Sequence, residues 1–451
     1  MTGRPAKGVS KRAPSPPREP AGLAARRAAV NIVSDVLAGR RTLDACLEDI
    51  QAGAPYAAMA GRDRGFVKAL ASETLRRHGQ IKDALARFMD RRPPRRAGRL
   101  EAILAVGACQ ILFLEVPPHA AVDLAVRLAG EDKDARHYSK LANAVLRRLA
   151  DAAPSILADQ HAARLNTPEW LAERWARAYG TETAHSIAEA HLALPPLDIT
   201  VKSDPGDWAE RLGGTTLLTD TVRLSSAGDV TRLDGYAEGA WWVQDAAAAL
   251  PARLIGQVAG AHIADLCAAP GGKTLQLAAA GGRVTAVERA TARLKRLQGN
   301  LERTGLAAEL VEADAASWHP ATAFDAVLLD APCSATGTLR RNPDIAWTRR
   351  EADIAALTEL QRRLLDNALS MLRPGALLVY TVCSLEPEEG AEQAERLLAE
   401  GRVTRVPIEP AEIGGLAGCI TEAGDLRTLP CHDPGAPGGM DGFYACRLRL
   451  A

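Results

Sequence analysis

Apolar positions recur at helical spacing from residue 21 to residue 150, set among Ala, Leu and Arg with few strand formers. Residues 100–114 (LEAILAVGACQILFL) are apolar almost all round, as a helix in the middle of a bundle is. Val116-Pro117-Pro118 stops that helix, because a residue before proline is pushed out of the helical region. Two more helices are predicted over 119–128 and 141–149, the second ending on Arg147 and Arg148, where cations suit the helix dipole. Helical character continues through 151–195 until Pro195-Pro196 breaks it. Between 197 and 245 short strand-like pieces (LDITV, TTLL, AWWV) alternate with Gly and Asp, which predicts a small α/β subdomain. From residue 246 strands and helices alternate. Strands are expected at 262–266, 283–288, 309–312, 325–330 and 375–381, with helices at 291–304 and 349–372. That order predicts a doubly wound, Rossmann-like α/β domain with a mostly parallel sheet, whose ligands bind beyond the carboxyl ends of the strands.

The expected organisation is therefore multidomain: a basic tail (1–20), an all-α domain (21–150), a helical linker with a small α/β subdomain (151–245) and an α/β domain (246–451). A length of 451 residues agrees, being too long for one ordinary core. The tail is Pro-rich, basic and too poor in apolar residues to fold.

Zero net charge hides an asymmetry. Residues 1–150 carry 27 Lys and Arg against 15 Asp and Glu, and residues 151–451 carry 28 against 40. A basic domain joined to an acidic one points to a polyanion partner, with Arg76, Arg77, Arg147 and Arg148 as candidate contacts. The eight cysteines form no CxxC pair and no cluster with zinc-ligand spacing, so no metal is expected. Scattered thiols without a secretion signal point to a reducing cytosol. No apolar run is long enough to predict a membrane span.

Three strand ends carry the first chemistry. Asp265 to Thr274 reads DLCAAPGGKT, a strand, a turn of small residues and a helix start. Its glycines permit close backbone approach to a ligand, and the helix amides suit an anionic group. The ending Gly272-Lys273-Thr274 is not a Walker A loop, since the glycine required five residues before Gly272 is replaced by Cys267. The next strand ends at Glu288, placed to accept ribose hydroxyls, and the third at Asp314, placed to take an adenine amino group. Together they predict a nucleoside cofactor, either NAD or S-adenosylmethionine on this evidence. Residues 328–344 (LLDAPCSATGTLRRNPD) and 380–389 (YTVCSLEPEE) then each set one cysteine just past a strand. A free cysteine is most often a buried small hydrophobe. Cys333 and Cys383 instead sit in polar, turn-like settings.

DLCAAPGGKT, DAPCSATG with RRNPD, TVCSLEPEE and the closing PGGMDGFY (437–444) resemble, in order and spacing, the motifs of the RsmB/NOP/NSUN family of RNA cytosine-5 methyltransferases. VPPHAAVDLAVRLA and LANAVLRR upstream resemble the NusB-like domain of its bacterial RsmB (Fmu) branch, so the likeness spans roughly residues 25–450. Where that family often has Arg-Val-Asn at the start of the small subdomain, this chain has Thr200-Val201-Lys202.

The resemblance implies S-adenosylmethionine as cofactor, held by Cys267, Ala268, Ala269, Pro270, Gly271, Gly272, Lys273, Glu288, Asp314 and Asp330. It implies Cys383 as nucleophile on carbon 6, Cys333 as the thiol that resolves the adduct, Asp330 on the N3/amino edge of cytosine, and Lys273 assisting. It also implies 16S ribosomal RNA as partner and a monomeric protein. Covalent catalysis is needed because carbon 5 of cytosine is a poor nucleophile until a thiolate adds next to it. The residue types alone leave the cysteines interchangeable, since in DNA cytosine methyltransferases the Pro-Cys cysteine attacks, which here is Cys333. Alternative expectations are a transfer-RNA substrate, nitrogen methylation with structural cysteines, and an RNA-binding assembly factor.

Overall fold

The computed structural model describes residues 20, 22–53, 59–89, 91, 94, 96–224 and 228–451. The tail, Pro20 apart, lies outside them. In the amino-terminal half, Leu100–Phe113 is the central helix, buried at every position from Ala102 to Gln110. Gln110 is tolerated there because both ends of its amide are bonded, to Val106 O at 3.0 Å and Arg26 Nε at 2.6 Å. Gly107 lets the helix Ser139–Asp159 approach, for a Cβ there would lie 2.8 Å from Leu146 Cδ1. Pro118–Glu131 starts on a proline at its first turn, where no backbone donor is lost.

One expectation fails in detail. The helix predicted at 141–149 does not stop at its arginines but runs from Ser139 to Asp159, through Pro154. Ile156 is buried in the helical core and Ala152, Ala153 and Leu157 pack against it, so tertiary burial outweighs the proline. Arg147 and Arg148 are consequently mid-helix and exposed.

Three helices, Ala162–Asn166, Glu169–Tyr179 and Thr181–Leu192, lead to the small subdomain. It is an antiparallel sheet in the order β2-β3-β1-β4, from Leu197–Val201 (β1), Thr215–Thr216 (β2), Val222–Leu224 (β3) and Trp241–Val243 (β4). β3 has no counterpart in the sequence reading.

The main sheet is built from His262–Leu266 (β5), Arg283–Glu288 (β6), Glu309–Glu312 (β7), Phe324–Asp330 (β8), Leu372–Val382 (β9), Val403–Arg405 (β10), Leu426–Arg427 (β11) and Tyr444–Leu450 (β12). Its order is β10-β12-β9-β8-β5-β6-β7, with β11 paired to β12. β5 to β9 are parallel, and β10, β11 and β12 add an antiparallel edge. The sequence order reverses between β5 and β8, so the carboxyl ends of these strands border a crevice.

The helical domain is tied to this crevice through residues 340–347. Arg76 Nη2 donates to Arg340 O at 2.7 Å, Leu43 N to Asp344 Oδ2 at 3.0 Å, and Trp347 Nε1 to Leu75 O at 2.7 Å. Among the described residues no helix is long and apolar enough to cross a membrane.

Candidate active site

The loop after β5 is shaped by backbone conformations that few residues accept. Cys267 is left-handed (φ 60°), the Ala269–Pro270 bond is cis, and Gly271 (φ 106°) opens the helix Gly272–Ala279. A Cβ on Gly271 would come 2.2 Å from Leu297 Cδ1, so only glycine fits. Ala268 N donates to Val287 O at 3.1 Å, stitching the loop to β6. Below it Asp265 is fully buried, takes the Thr274 hydroxyl on Oδ2 at 2.5 Å and has no partner for Oδ1. Burial pushes its carboxyl up to about 7.

Glu288, ending β6, takes Ala290 N on Oε1 at 3.0 Å. Its buried Oε2 has no donor in hydrogen-bond geometry, though Arg293 Nη1 lies 3.2 Å away. Asp314, after β7, is half-exposed and takes Ala316 N on Oδ1 at 3.0 Å. An uncommitted buried carboxylate oxygen beside a glycine cradle fits a nucleoside with free hydroxyls.

Across the crevice Lys273 Nζ donates to Asp330 Oδ2 at 2.6 Å and stands over the Phe443 ring at 5.2 Å. Burial works against the Lys273 ammonium, but Asp330, Asp265 and Cys383 together hold its pKa above the usual lysine value. Past the ends of β8 and β9, Cys333 Sγ and Cys383 Sγ are 3.5 Å apart. Cys333 is buried and Cys383 partly exposed. The hydrogen bond to Cys383 and burial push the Cys333 thiol well above the usual range. Cys383 is anchored by its carbonyl, which takes Gly337 N at 3.0 Å. Gly337 O in turn takes Gly442 N at 2.8 Å, so the closing motif packs on the cysteine loop.

Lys273 is thus paired with Asp330 and Cys333 with Cys383, Cys383 lies near enough to act on the Lys273 charge, and Cys267 to Gly272 with Glu288 and Asp314 line the neighbouring strand ends. The candidate RNA contacts divide. Arg76 is buried in its bonds to Glu73 and Arg340, and Arg77 is bound to Glu73 and Leu192 O, so both are structural ties. Charge counting could not separate them from the exposed Arg147 and Arg148.

Sequence reasoning also missed a buried ionic network. Arg340 and Arg341 of RRNPD pair with Asp245 and Asp441, at 2.6–3.5 Å, and join the small subdomain to the closing motif. Burial and the neighbouring Asp245 push Asp441 up to about 6, against the two arginines. The signal was present as two adjacent arginines in a motif otherwise made of turn residues.

A parallel core with a glycine cradle and acids at consecutive strand ends suits a nucleoside cofactor, and the family match makes the protein an S-adenosylmethionine-dependent methyltransferase. Residues 253–449 match the model of 16S rRNA methyltransferase RsmB/F, and residues 23–151 that of the NusB family. The chain belongs to the RsmB family of these methyltransferases. Ribosomal RNA small subunit methyltransferase B of Salmonella arizonae is 37% identical over 358 residues, 75% of this chain and 83% of that one. Its counterpart in Pseudomonas syringae pv. tomato is 35% identical over 443 residues, 94% and 96% of the two chains. The crystal structure of PH0851 superposes with a TM-score of 0.72 at 21% identity, covering 94% of this chain and 98% of that one, and shows the shared fold.

Proposed function

We propose that the protein methylates carbon 5 of a cytosine in small-subunit ribosomal RNA, with Cys383 as nucleophile. The carrying observation is the sulfur pair, 3.5 Å apart, just past the ends of β8 and β9, with Lys273 bonded to Asp330 at the end of β8. The ribosomal RNA assignment rests on the names of the relatives. In this reading the helical domain to residue 150 engages RNA, residues 151–245 carry the small subdomain, and residues 246–451 do the chemistry.

S-adenosylmethionine supplies an electrophilic methyl sulfonium. The loop Cys267 to Lys273 would hold it together with Glu288, Asp314 and Asp330, and Glu288 Oε2, which lacks a donor, would be free to accept from it. The Cys383 sulfur adds to carbon 6 and makes carbon 5 nucleophilic. Asp330 accepts from the amino edge of the base, and Lys273 keeps that carboxylate oriented. Cys333, kept as a thiol by its surroundings, lies 3.5 Å from the Cys383 sulfur, within reach to donate to it. After methylation a solvent base takes the proton from carbon 5, that electron pair re-forms the 5,6 double bond, and the bond from carbon 6 to Cys383 breaks, with the Cys333 thiol donating to the departing sulfur. The base must be unstacked to enter the crevice.

The test is bisulfite mapping of 16S ribosomal RNA from cells with and without the protein. One cytosine should lose its protection in the deletion strain and regain it with the purified enzyme. An unchanged map would defeat the reading, and loss of a site in transfer RNA would move the substrate.

A further inference from the structure

The β8–β9 ladder ends at the pair Asp330 and Thr381, with one more bond from Ala331 N to Thr381 O. Both cysteines lie beyond it, so other groups must fix the sulfur spacing. Glu389, in the turn Pro387–Glu389, is completely buried. Its Oε1 takes Ser334 N at 2.9 Å and Gln361 Nε2 at 3.0 Å. Its Oε2 takes the Ser384 hydroxyl at 2.5 Å and the Ser334 hydroxyl. The same Gln361 amide also donates to Pro332 O at 2.9 Å. Ser334 and Ser384 directly follow the two cysteines, and their hydroxyls are 3.0 Å apart. One carboxylate therefore holds the residue after each sulfur.

A buried carboxylate is costly, and among the described residues no cation pairs with this one. Four donors compensate it, and three of them come from the two cysteine-bearing turns. An apolar residue could fill the space, but it could not grip both turns.

We propose that Glu389 is the positioning residue of the cysteine pair, holding Ser334 and Ser384 so that the Cys333 thiol donates to the Cys383 sulfur. This rests on the assignment of Cys383 as nucleophile. The charge of Glu389 acts in the same direction as the contact, since it adds to the groups that keep Cys333 protonated.

The test uses full-length Glu389→Gln and Ser384→Ala proteins. Glutamine fills the same volume but cannot accept from every donor, and Ser384→Ala removes a single hydroxyl. Both should bind S-adenosylhomocysteine as the wild type does, because among the described residues no hydrogen bond joins Glu389 to the cofactor loop. The rate of covalent capture by 5-fluorocytidine RNA should fall about 100-fold in Glu389→Gln, the loss expected of a misplacement of ~1 Å. The pH profile of capture should shift, because the contact between the two sulfurs is lost. Diamide, which takes two electrons from a thiol pair and is reduced to the hydrazine, should link Cys333 to Cys383 more slowly in both variants, read by mass spectrometry. Wild-type rates of capture and linking in both variants, with an unmoved pH profile, would overturn the proposal. The linking arm reads sulfur geometry alone. A wild type that links fast but captures no RNA would therefore defeat the assignment of Cys383, while slower linking in the variants would still support the clamp. If Glu389→Gln fails to fold, Ser384→Ala decides.

Discussion

Lys273 Nζ lies 2.6 Å from Asp330 Oδ2, so the first residues of the cofactor-loop helix are bonded to the end of the strand that leads to Cys333. Asp330→Asn should lower methyl transfer by about 100-fold or more, the loss typical of removing a charge-stabilising group. Lys273→Met should lower stability by about 3 kcal/mol, the low end for breaking a buried pair, because Asp330 is partly exposed. Single-turnover rates and denaturant unfolding check the two. Full activity in Asp330→Asn would remove it from the chemistry.

Glu288 and Asp314 should matter for cofactor affinity and little for RNA. Glu288→Ala and Asp314→Ala should each weaken S-adenosylhomocysteine binding by about 1–3 kcal/mol in calorimetry, the cost of one lost hydrogen bond in a partly buried site. Glu288 should give the larger effect, being buried where Asp314 is half-exposed. Unchanged affinity in both would count against this pocket.

The alternating apolar segments between residues 262 and 381 made the parallel strands legible, because strands covered on both faces read as short apolar runs. The cofactor loop was legible too, since Gly271 answers a backbone need that sequence displays. The clamp on the cysteines was not. Glu389 reads as one more acid in an acidic stretch, and only folding shows that Ser334, Ser384 and Gln361 surround it. Arg340 and Arg341 were legible as a motif, but not as the buried partners of Asp245 and Asp441. Position along the chain gives neighbours on one element, whereas these partners lie on separate loops. The helix through Pro154 was misjudged for the same reason: local propensity opposed it and the core it packs on favoured it.

Asp265 makes stability depend on pH. Its folded pKa, near 7, lies above the ordinary carboxyl value, so the folded state holds a proton that the unfolded chain has released. Its contribution is fully present below the unfolded pKa, near 4, and is lost as pH rises through 7. Asp265→Asn mimics the protonated form and should flatten the fall in stability between about pH 4 and 7. An identical pH profile of urea midpoints in both proteins would contradict this.

Arg147 and Arg148 present exposed charge on the helical domain, Arg148 with its guanidinium 5.0 Å from the Phe88 ring. The double substitution Arg147→Glu, Arg148→Glu should weaken RNA binding and reduce the dependence of log affinity on log salt by roughly one to two. Arg76→Gln should instead act on stability, through its bond to Arg340 O. An unchanged salt slope in the double variant would place the RNA elsewhere.

The most direct measurement is a denaturing gel of the two cysteine variants incubated with RNA and S-adenosylmethionine. Cys383→Ala should transfer no methyl group and leave no covalent RNA, yet still bind the cofactor. Cys333→Ala should attack and then stall, giving a slow band without any suicide base. An adduct from Cys383→Ala and none from Cys333→Ala would exchange the roles, and full activity in both would abolish covalent catalysis.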